Sequence, residues 1–381
     1  MKSLLKLVVV DRNSYMNFVE NHPLRNFLQY PSWSDLKSEW KWSSEFLGWM
    51  NKEGKMVGGT NVLYRKVPGL NKFLAYIPRG PLIDWFSTEY SLKDWFHILF
   101  RHLKQRNVFS VKIDPPLVRK KWSSDSITNG MLQFQTHGLK NKKITDLPPN
   151  QVFREVEFIQ QELSEMGWRQ KIAQDSFDTV QPNFVYRLDL ANKGLDQIFA
   201  SFHPIWQKKI NQAEWEGVEV SVGSLQDIHE FHALLAQEAK HDQKESRDIA
   251  YFQKMVEKLS KEDPGRIRIY YARQNDQLLS ASLAVRVSGQ VWDLYSAQLR
   301  KTDHAASYLL RWKMIQDAHS KGDHTFDFRG VSIWLDEKHH QFELLKFRVG
   351  FNGDVCELIG EWDYPVIPML HWAFDMYMKK R

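Results

Sequence analysis

Short apolar runs separated by polar turns open the chain. Residues 4 to 10 predict a first strand, and residues 12 to 20 a short helix beginning after Asp11. Phe27, Trp33, Leu36 and Trp40 fall at helix-like spacing between Asn26 and Trp42, with Lys37 beside that face. Leu47 to Met50, Lys55 to Val67 and Phe73 to Ile77 predict strands of one sheet, broken by Asn51-Lys52-Glu53-Gly54 and by Pro68-Gly69. The run Tyr76 to Trp85 then enters a loop rich in Pro and Gly, which cannot continue a sheet, so Arg79 is expected on a constrained loop. A helix from about Ser91 to Arg106 leads to a strand, Val108 to Ile113, that stops at Asp114-Pro115-Pro116.

Residues 117 to 152 hold Lys and Arg clusters, Gly, Asn and the pair Pro148-Pro149, and predict a mostly irregular, exposed insertion with room for one short helix. Glu155 to Met166 predicts a helix closed by Gly167, and Asp175 to Asn183 is the best linker into a second unit. There the order repeats loosely. A strand at Phe184 to Leu190 and a helix at about 195 to 214 precede the turn and strand of Gly217 to Val220. Helices at about 225 to 240 and 248 to 260 are followed by strands at about 267 to 273, 277 to 287 and 290 to 296, a helix from Ala305 to His319, and a strand ending near Phe328. A last helix after Pro365 or Pro368 offers Leu370, Trp372, Ala373, Phe374 and Tyr377 as its apolar surface. Alternating helices and strands of this kind predict an α/β (α+β) chain with mixed sheets flanked by helices.

The stretch from Thr325 to Phe351 joins a buried apolar run to a dense set of polar and cationic residues, the usual composition of an active-site edge. Gly330 permits a tight turn or a close backbone approach, and Lys346-Phe347 returns a cation and an aromatic ring before Gly350. The plain structural reading is a strand, a surface loop and an ordinary lysine whose stem lies along apolar surface. Asp114 sits at the carboxyl end of a strand, where open α/β sheets place ligands; a cap or turn before proline accounts for it equally well.

Composition sharpens this picture only a little. A chain of 381 residues is long enough for two domains, and 43% hydrophobic with 26% charged residues is a globular balance. The net charge of +6 mildly favours contact with a polyanion or an anionic membrane surface. The single cysteine, Cys356, excludes an intrachain disulfide and a thiolate metal cluster, and fits a reducing compartment. The amino-terminal run is read as a strand rather than a signal peptide, and no window approaches 18 uninterrupted apolar residues, so a cytoplasmic protein is expected.

Several chemistries lack their motifs. There is no GxxxxGK[ST] phosphate loop, no GxGxxG after a strand, no HExxH, no GxSxG and no paired CxxC. The turn with which acetyltransferases hold a pyrophosphate is also missing, and His319, His324, His339 and His340 read as loop residues, because no carboxylate or cysteine frames them. No metal and no cofactor are expected.

The pieces taken together resemble the Fem family of non-ribosomal peptidyltransferases over nearly the full length. They are Gln29, Trp33 and Lys37 on the amino-terminal helix, YIPRGPLID at Tyr76 to Asp84, VKIDP at Val111 to Pro115, Gly167-Trp168, and QPNFVYRLDL at Gln181 to Leu190. GVEV at Gly217 to Val220, YFQKM at Tyr251 to Met255, VWDLYSA at Val291 to Ala297, DFRGV at Asp327 to Val331 and KFRVGF at Lys346 to Phe351 follow in order. The resemblance implies two acetyltransferase-like (GNAT-like) domains in tandem. The first would be residues 1–180 with about 356–381, on the acceptor side, and the second residues 181–355, on the aminoacyl-tRNA side. It implies an aminoacyltransferase that moves glycine, alanine or serine from aminoacyl-tRNA to an amine of the stem peptide of a peptidoglycan precursor, either UDP-muramyl pentapeptide or its lipid-linked form, in interpeptide bridge synthesis. Two departures stand out. Only the stretch around Glu238 to Arg247 occupies the place of the family's coiled-coil arm, so the chain resembles the compact members, and Gln212, Ala213 and Glu214 stand where the helix before GVEV is usually basic.

An aminoacyl ester is already activated, so the resemblance asks only for alignment, proton handling and oxyanion stabilisation. Lys346 is the candidate for transition-state charge or the tRNA end, with Phe347 packing or stacking nearby, and Asp114 the candidate to orient the amine or take its proton. Lys37 with Arg79 would bind acceptor phosphates, Trp33 and Tyr295 would contact the acceptor, and Lys208 and Lys209 would supply the helix cations. The tRNA should be held by dispersed Lys and Arg through phosphates. A monomer is expected, with a weak homodimer and peripheral contact with the inner membrane face left open. The alternatives are an aminoacyl-tRNA-dependent transferase whose acceptor is a lipid or a protein, and a non-catalytic protein that binds the precursor.

Overall fold

The polar tetrapeptide Asn51 to Gly54 turns the strand Trp42–Met50 back on Met56–Lys66, with Gly54 in the left-handed region at φ 77°. The two strands pair antiparallel from Trp42 opposite Arg65 to Met50 opposite Met56. This hairpin lies in the first of two units in a computed structural model that describes residues 5–137, 143–172, 178–241, 245–299 and 305–379. The first unit is Met1–Lys120, Val152–Asn183 and Glu357–Arg381; the second is Lys121–Gln151 and Phe184–Cys356.

In the first unit the strands lie in the order Lys6–Val9, Trp42–Met50, Met56–Lys66, Phe73–Ile77, Val108–Ile113, Trp362–Tyr364 and Arg169–Gln170. Phe73–Ile77 and Val108–Ile113 run parallel, joined by the helix Leu92–Gln105 as the crossover such a pair requires. That helix opens on a reciprocal cap between Ser91 and Asp94 and buries Trp95, Phe96, Leu99 and Leu103 against the sheet. Each such side chain stabilises the unit by about 1.5–3 kcal/mol relative to exposure. Trp49, whose indole donates to the Trp95 carbonyl at 3.0 Å, ties the helix to the hairpin.

The second unit repeats the plan. The helices Ile228–His241 and Ile249–Glu262 precede three antiparallel strands, Ile267–Gln274, Gln277–Val287 and Gln290–Gln298. The helix Ala305–Ser320 crosses to Thr325–Gly330, which is parallel to Gln290–Gln298. The first unit runs the same way, from helices Arg12–Asn21 and Pro31–Ser38 through three antiparallel strands to a crossover helix and a parallel strand. The two units are therefore GNAT-like sheet-and-helix domains in tandem. The second sheet continues past Thr325–Gly330 with Phe184–Asp189 and Asp354–Leu358, then Val118–Ser123 and Gln151–Val152, within which the chain crosses the unit boundary.

Two sequence expectations change. Residues 117 to 152 are not a loose insertion of the first domain: they form the strand Val118–Ser123 and the helix Ser124–His137, and 121–151 belong to the second unit, where Trp122 and Ile127 enter the core. Nor is the segment after Gly330 only a loop, since Phe342–Val349 is a helix that buries Phe342, Leu345 and Val349. Part of the expected linker, 173–177, and part of the segment in the coiled-coil position, 242–244, lie outside the described residues. Among the described residues the longest helix has 16 residues, so there is no coiled-coil arm, and no helix is long and apolar enough to cross a membrane.

Candidate functional site

The second unit carries a charged cluster inside apolar elements. Asp293 lies in Gln290–Gln298 next to Leu294, where the register against Gln277–Val287 shifts, as strands commonly do where a side chain is re-aimed. Its Oδ1 accepts from Ser282 Oγ and from Ser296 Oγ at 2.7 Å, and its Oδ2 accepts from Arg311 Nε at 3.1 Å. Arg311 comes from the middle of the helix Ala305–Ser320 and lies 5.5 Å from the centre of the Phe347 ring. Both charges are buried, which is tolerable only because each is paired and the carboxylate is further satisfied by hydroxyls.

Phe347 is held from several directions. Its ring packs edge-on to Tyr308 at 4.9 Å and Phe351 at 5.3 Å, and its carbonyl accepts from Trp206 Nε1 at 2.8 Å. The tight approach of Trp206 explains Gly350, where an added Cβ would lie 2.2 Å from the indole. Arg348, the next residue, donates to the Gly330 carbonyl, and burial pushes its guanidinium down to about 10. Arg311 and Arg329 push in the same direction while Asp293 and Asp327 oppose, so these five groups share one electrostatic neighbourhood. Arg348 remains a cation at neutral pH.

The turn after Phe328 is built by Asp327. Its Oδ2 accepts from Arg187 Nε at 2.9 Å and its Oδ1 from the Arg329 amide at 2.7 Å, holding Arg329 in the left-handed region at φ 69°. The unusual backbone thus falls on Arg329, not on Gly330, whose part is the carbonyl that Arg348 grips. Arg187, Arg311, Arg329 and Arg348 share this neighbourhood with two carboxylates, Asp293 and Asp327, leaving an excess of positive charge. Such a set suits an anion or a developing oxyanion.

Tyr295 packs edge-on to Phe252 at 5.1 Å, and its side chain hydrogen-bonds that of Tyr251, whose ring carries Arg247 at 4.6 Å. Burial holds the Tyr251 hydroxyl well above the ordinary range, so it stays a neutral donor. The sequence candidates Lys346, Lys208 and Lys209 fare differently. Lys346 is 54% exposed, with Nζ 3.9 Å from the Glu343 carboxylate, and Lys208 is exposed on the helix Pro204–Trp215, where Lys209 is half-buried. The cation that helix Phe342–Val349 turns into the cluster is Arg348.

In the first unit Trp33 and Lys37 come together on the helix Pro31–Ser38, with the Lys37 Nζ 4.8 Å from the Trp33 ring centre. Arg79 and Asp114 also meet, but as a structural clamp. Asp114 Oδ1 accepts from the Arg79 amide at 2.5 Å and Oδ2 from Tyr76 OH at 2.8 Å. The Arg79 guanidinium reaches the Asp114 carbonyl at 3.3 Å and the Pro182 carbonyl at 2.9 Å. Arg79 is 3% exposed at φ 51°, so the constrained loop is as expected while its guanidinium is turned inward, not offered to a phosphate. Burial pushes Asp114 up to about 6, despite the opposing pull of Arg79 and Tyr76. Gln29 closes the same loop, donating to the Pro78 carbonyl at 2.7 Å and accepting from the Asn61 amide at 2.9 Å.

Asp293, Arg311, Arg329 and Arg348 escaped the sequence reading. Asp293 and Arg311 left a signal, Asp293 as the lone charge in VWDLYSA and Arg311 as a charge following the apolar run YLL, where burial demands a partner. Nothing local separates Arg348 from Lys346.

Comparison with known proteins adds a family. The chain matches the FemAB family over residues 10–264 and 266–380. It is 22% identical over 376 residues to the lipid II:glycine glycyltransferase of Staphylococcus saprophyticus, covering 91% of this chain and 90% of that protein. The lipid II:glycine glycyltransferase of Staphylococcus aureus is 22% identical over 412 residues, with the same coverage. The crystal structure of FemX superposes with a TM-score of 0.77 at 19% identity, covering 97% of this chain and 99% of that one.

Proposed function

The chain belongs to the FemAB family, and from that premise we propose that it is an aminoacyl-tRNA-dependent aminoacyltransferase that extends the stem peptide of a peptidoglycan precursor during bridge synthesis. The observation that carries this reading is the buried Asp293–Arg311 pair beside Phe347, with Arg348 anchored on the Gly330 carbonyl in the same electrostatic neighbourhood. A set of cations suits a donor that arrives already activated and whose carbonyl oxygen gains negative charge on attack.

The reaction needs little covalent help. The acceptor amine, unprotonated, adds to the carbonyl carbon of the aminoacyl ester, forming a C–N bond and placing negative charge on the carbonyl oxygen. Collapse breaks the C–O bond to the tRNA ribose, which leaves as its hydroxyl after taking the proton that the amine loses. Arg348 is the residue assigned to the oxyanion, because its guanidinium is held by Gly330 in a crowded, poorly hydrated place where a charge-assisted hydrogen bond is strongest. Phe347 shields that side from water, and Arg311, neutralised by Asp293, fixes the ring. In the second unit Tyr295 and Tyr251 offer hydroxyls to substrate oxygens. In the first unit Trp33 and Lys37 set an aromatic face beside a cation.

Glycine is the first donor to test and the lipid-linked precursor the first acceptor, since the staphylococcal relatives are named for both. Incubation with a mixture of charged tRNAs and either UDP-muramyl pentapeptide or its lipid-linked form, followed by mass analysis of both acceptors, tests the proposal. A mass gain of one amino acid on either supports it and tells the two acceptors apart. No gain on either, under conditions where the aminoacyl-tRNA survives, overturns it.

A further inference from the structure

The helix Pro368–Lys379 has one face packed on the first unit and another that nothing in the unit covers. On the packed side His371 is buried, its Nδ1 2.8 Å from Ser110 Oγ, and Phe374 lies edge-on to Phe109 at 5.4 Å. On the other side Met369 is 85%, Trp372 64% and Met376 42% exposed, with exposed Ala373 between them. Positions 369, 372, 373 and 376 form a single stripe along a helix, so the exposure is a continuous apolar face rather than scattered side chains. Asp375, the one carboxylate in the helix, is drawn toward the packed side by His371 at 3.3 Å.

We propose that this stripe seats the protein on an anionic lipid surface, with the helix lying in the headgroup plane. The occupant follows from charge, chemistry and size. The chain carries a net +6, and in the sequence Met376 is followed within five residues by Lys379, Lys380 and Arg381, positive charge that anionic headgroups complement. Tryptophan flanked by methionines is an apolar surface with one polar N–H, the combination favoured where acyl chains meet headgroups. A second copy of the chain is the poorer fit. Three partly exposed side chains offer a few hundred Å2, on the order of half of the ~800 Å2 per partner that a stable dimer buries. The helix has 12 residues, about 18 Å, which is too short to cross a bilayer and long enough to lie on it. This seating does not depend on the transfer reaction.

Flotation of the full chain with vesicles tests it, comparing phosphatidylcholine alone with phosphatidylcholine containing phosphatidylglycerol. The protein should float with the anionic vesicles and not with the neutral ones, and added salt should weaken the binding. The combined substitutions Met369→Gln, Trp372→Gln and Met376→Gln should reduce partitioning by at least about tenfold, because charge attraction and apolar burial are both needed for attachment. Should that variant fold poorly, Trp372→Phe decides instead. Brominated lipids should quench part of the wild-type tryptophan fluorescence, and Trp372→Phe should abolish that quenched part. Failure to float with anionic vesicles, unchanged flotation of a folded triple variant, or quenching that persists in Trp372→Phe overturns the proposal. A concentration-dependent dimer that the triple variant loses does so too, in favour of a second copy.

Discussion

Asp293 and Arg311 meet at 3.1 Å inside the second unit, a strand carboxylate against a helix guanidinium, with side-chain exposures of 5% and 8%. A pair so placed contributes less to stability than its geometry suggests, because both ions lose water. Its value here lies in position. Arg311 reaches Phe347, and the Asp293 carboxylate opposes the desolvation of Arg348.

Removing one partner should be far worse than removing both. Asp293→Ala leaves a buried cation without its carboxylate and should destabilise by about 3–5 kcal/mol, measured by denaturant unfolding. The double substitution Asp293→Leu with Arg311→Met should recover most of that stability, yet transfer activity should stay low, since the apolar pair cannot fix Phe347 or balance Arg348. A double variant as active as the wild type would reduce the pair to scaffolding.

Lys346 and Arg348 share one helix and differ in what surrounds them. Arg348→Ala should lower kcat/KM by on the order of a hundredfold, the usual cost of losing one oxyanion donor, and Arg348→Lys should retain more activity than Arg348→Ala. Lys346→Ala should stay within a fewfold of wild type, because its exposed Nζ lies 3.9 Å from the still more exposed Glu343, a weak surface pair. Steady-state kinetics with a charged tRNA distinguishes the two, and the reverse order would return the role to Lys346.

Why the sequence points to Lys346 is instructive. Strands, crossover helices and the repeated plan were legible because they rest on local periodicity and turn residues such as Gly54 and Pro68-Gly69. Trp33 beside Lys37 was legible too, since four residues bring side chains together on a helix. The charged cluster was not. Asp293, Arg311, Asp327 and Arg348 come from four elements, and which of two neighbouring cations turns inward depends on how Phe342, Leu345 and Val349 seat their helix. Arg79 misled for a related reason. The positive φ of its loop is a local property, whereas the reach of its guanidinium to Pro182 spans 103 residues.

Gly350 offers a test of that seating. Gly350→Ala places a methyl 2.2 Å from the Trp206 ring, which has no flexible end to yield, and should cost about 1–3 kcal/mol with a lower melting temperature. Trp206 also holds the Phe347 carbonyl, so activity should fall alongside stability. Adding Trp206→Leu makes room for the methyl and should recover stability relative to Gly350→Ala. If Gly350→Ala melts with the wild type, the close approach of Trp206 does not constrain the helix end.

Asp114 should leave a mark on the pH dependence of stability. Its carboxyl is pushed up to about 6 from an ordinary 3.8, with burial as the leading cause, and it is 1% exposed. A carboxyl that holds its proton more tightly in the folded chain than in the unfolded one favours folding less as pH rises. Its contribution should therefore decline between about pH 4 and pH 6 and stay level above that. Asp114→Asn removes the titration while keeping an oxygen for the Arg79 amide and an N–H for the Tyr76 oxygen. The variant should accordingly gain on the wild type across that window, by on the order of 3 kcal/mol for a shift near two units. Urea unfolding of both proteins from about pH 4 to pH 7 measures the difference, in which the other titrating groups cancel. A constant offset at every pH would mean that Asp114 ionises in the fold as readily as in the open chain, and a gap that narrows in favour of the wild type as pH rises would mean that the Arg79 and Tyr76 contacts outweigh its burial.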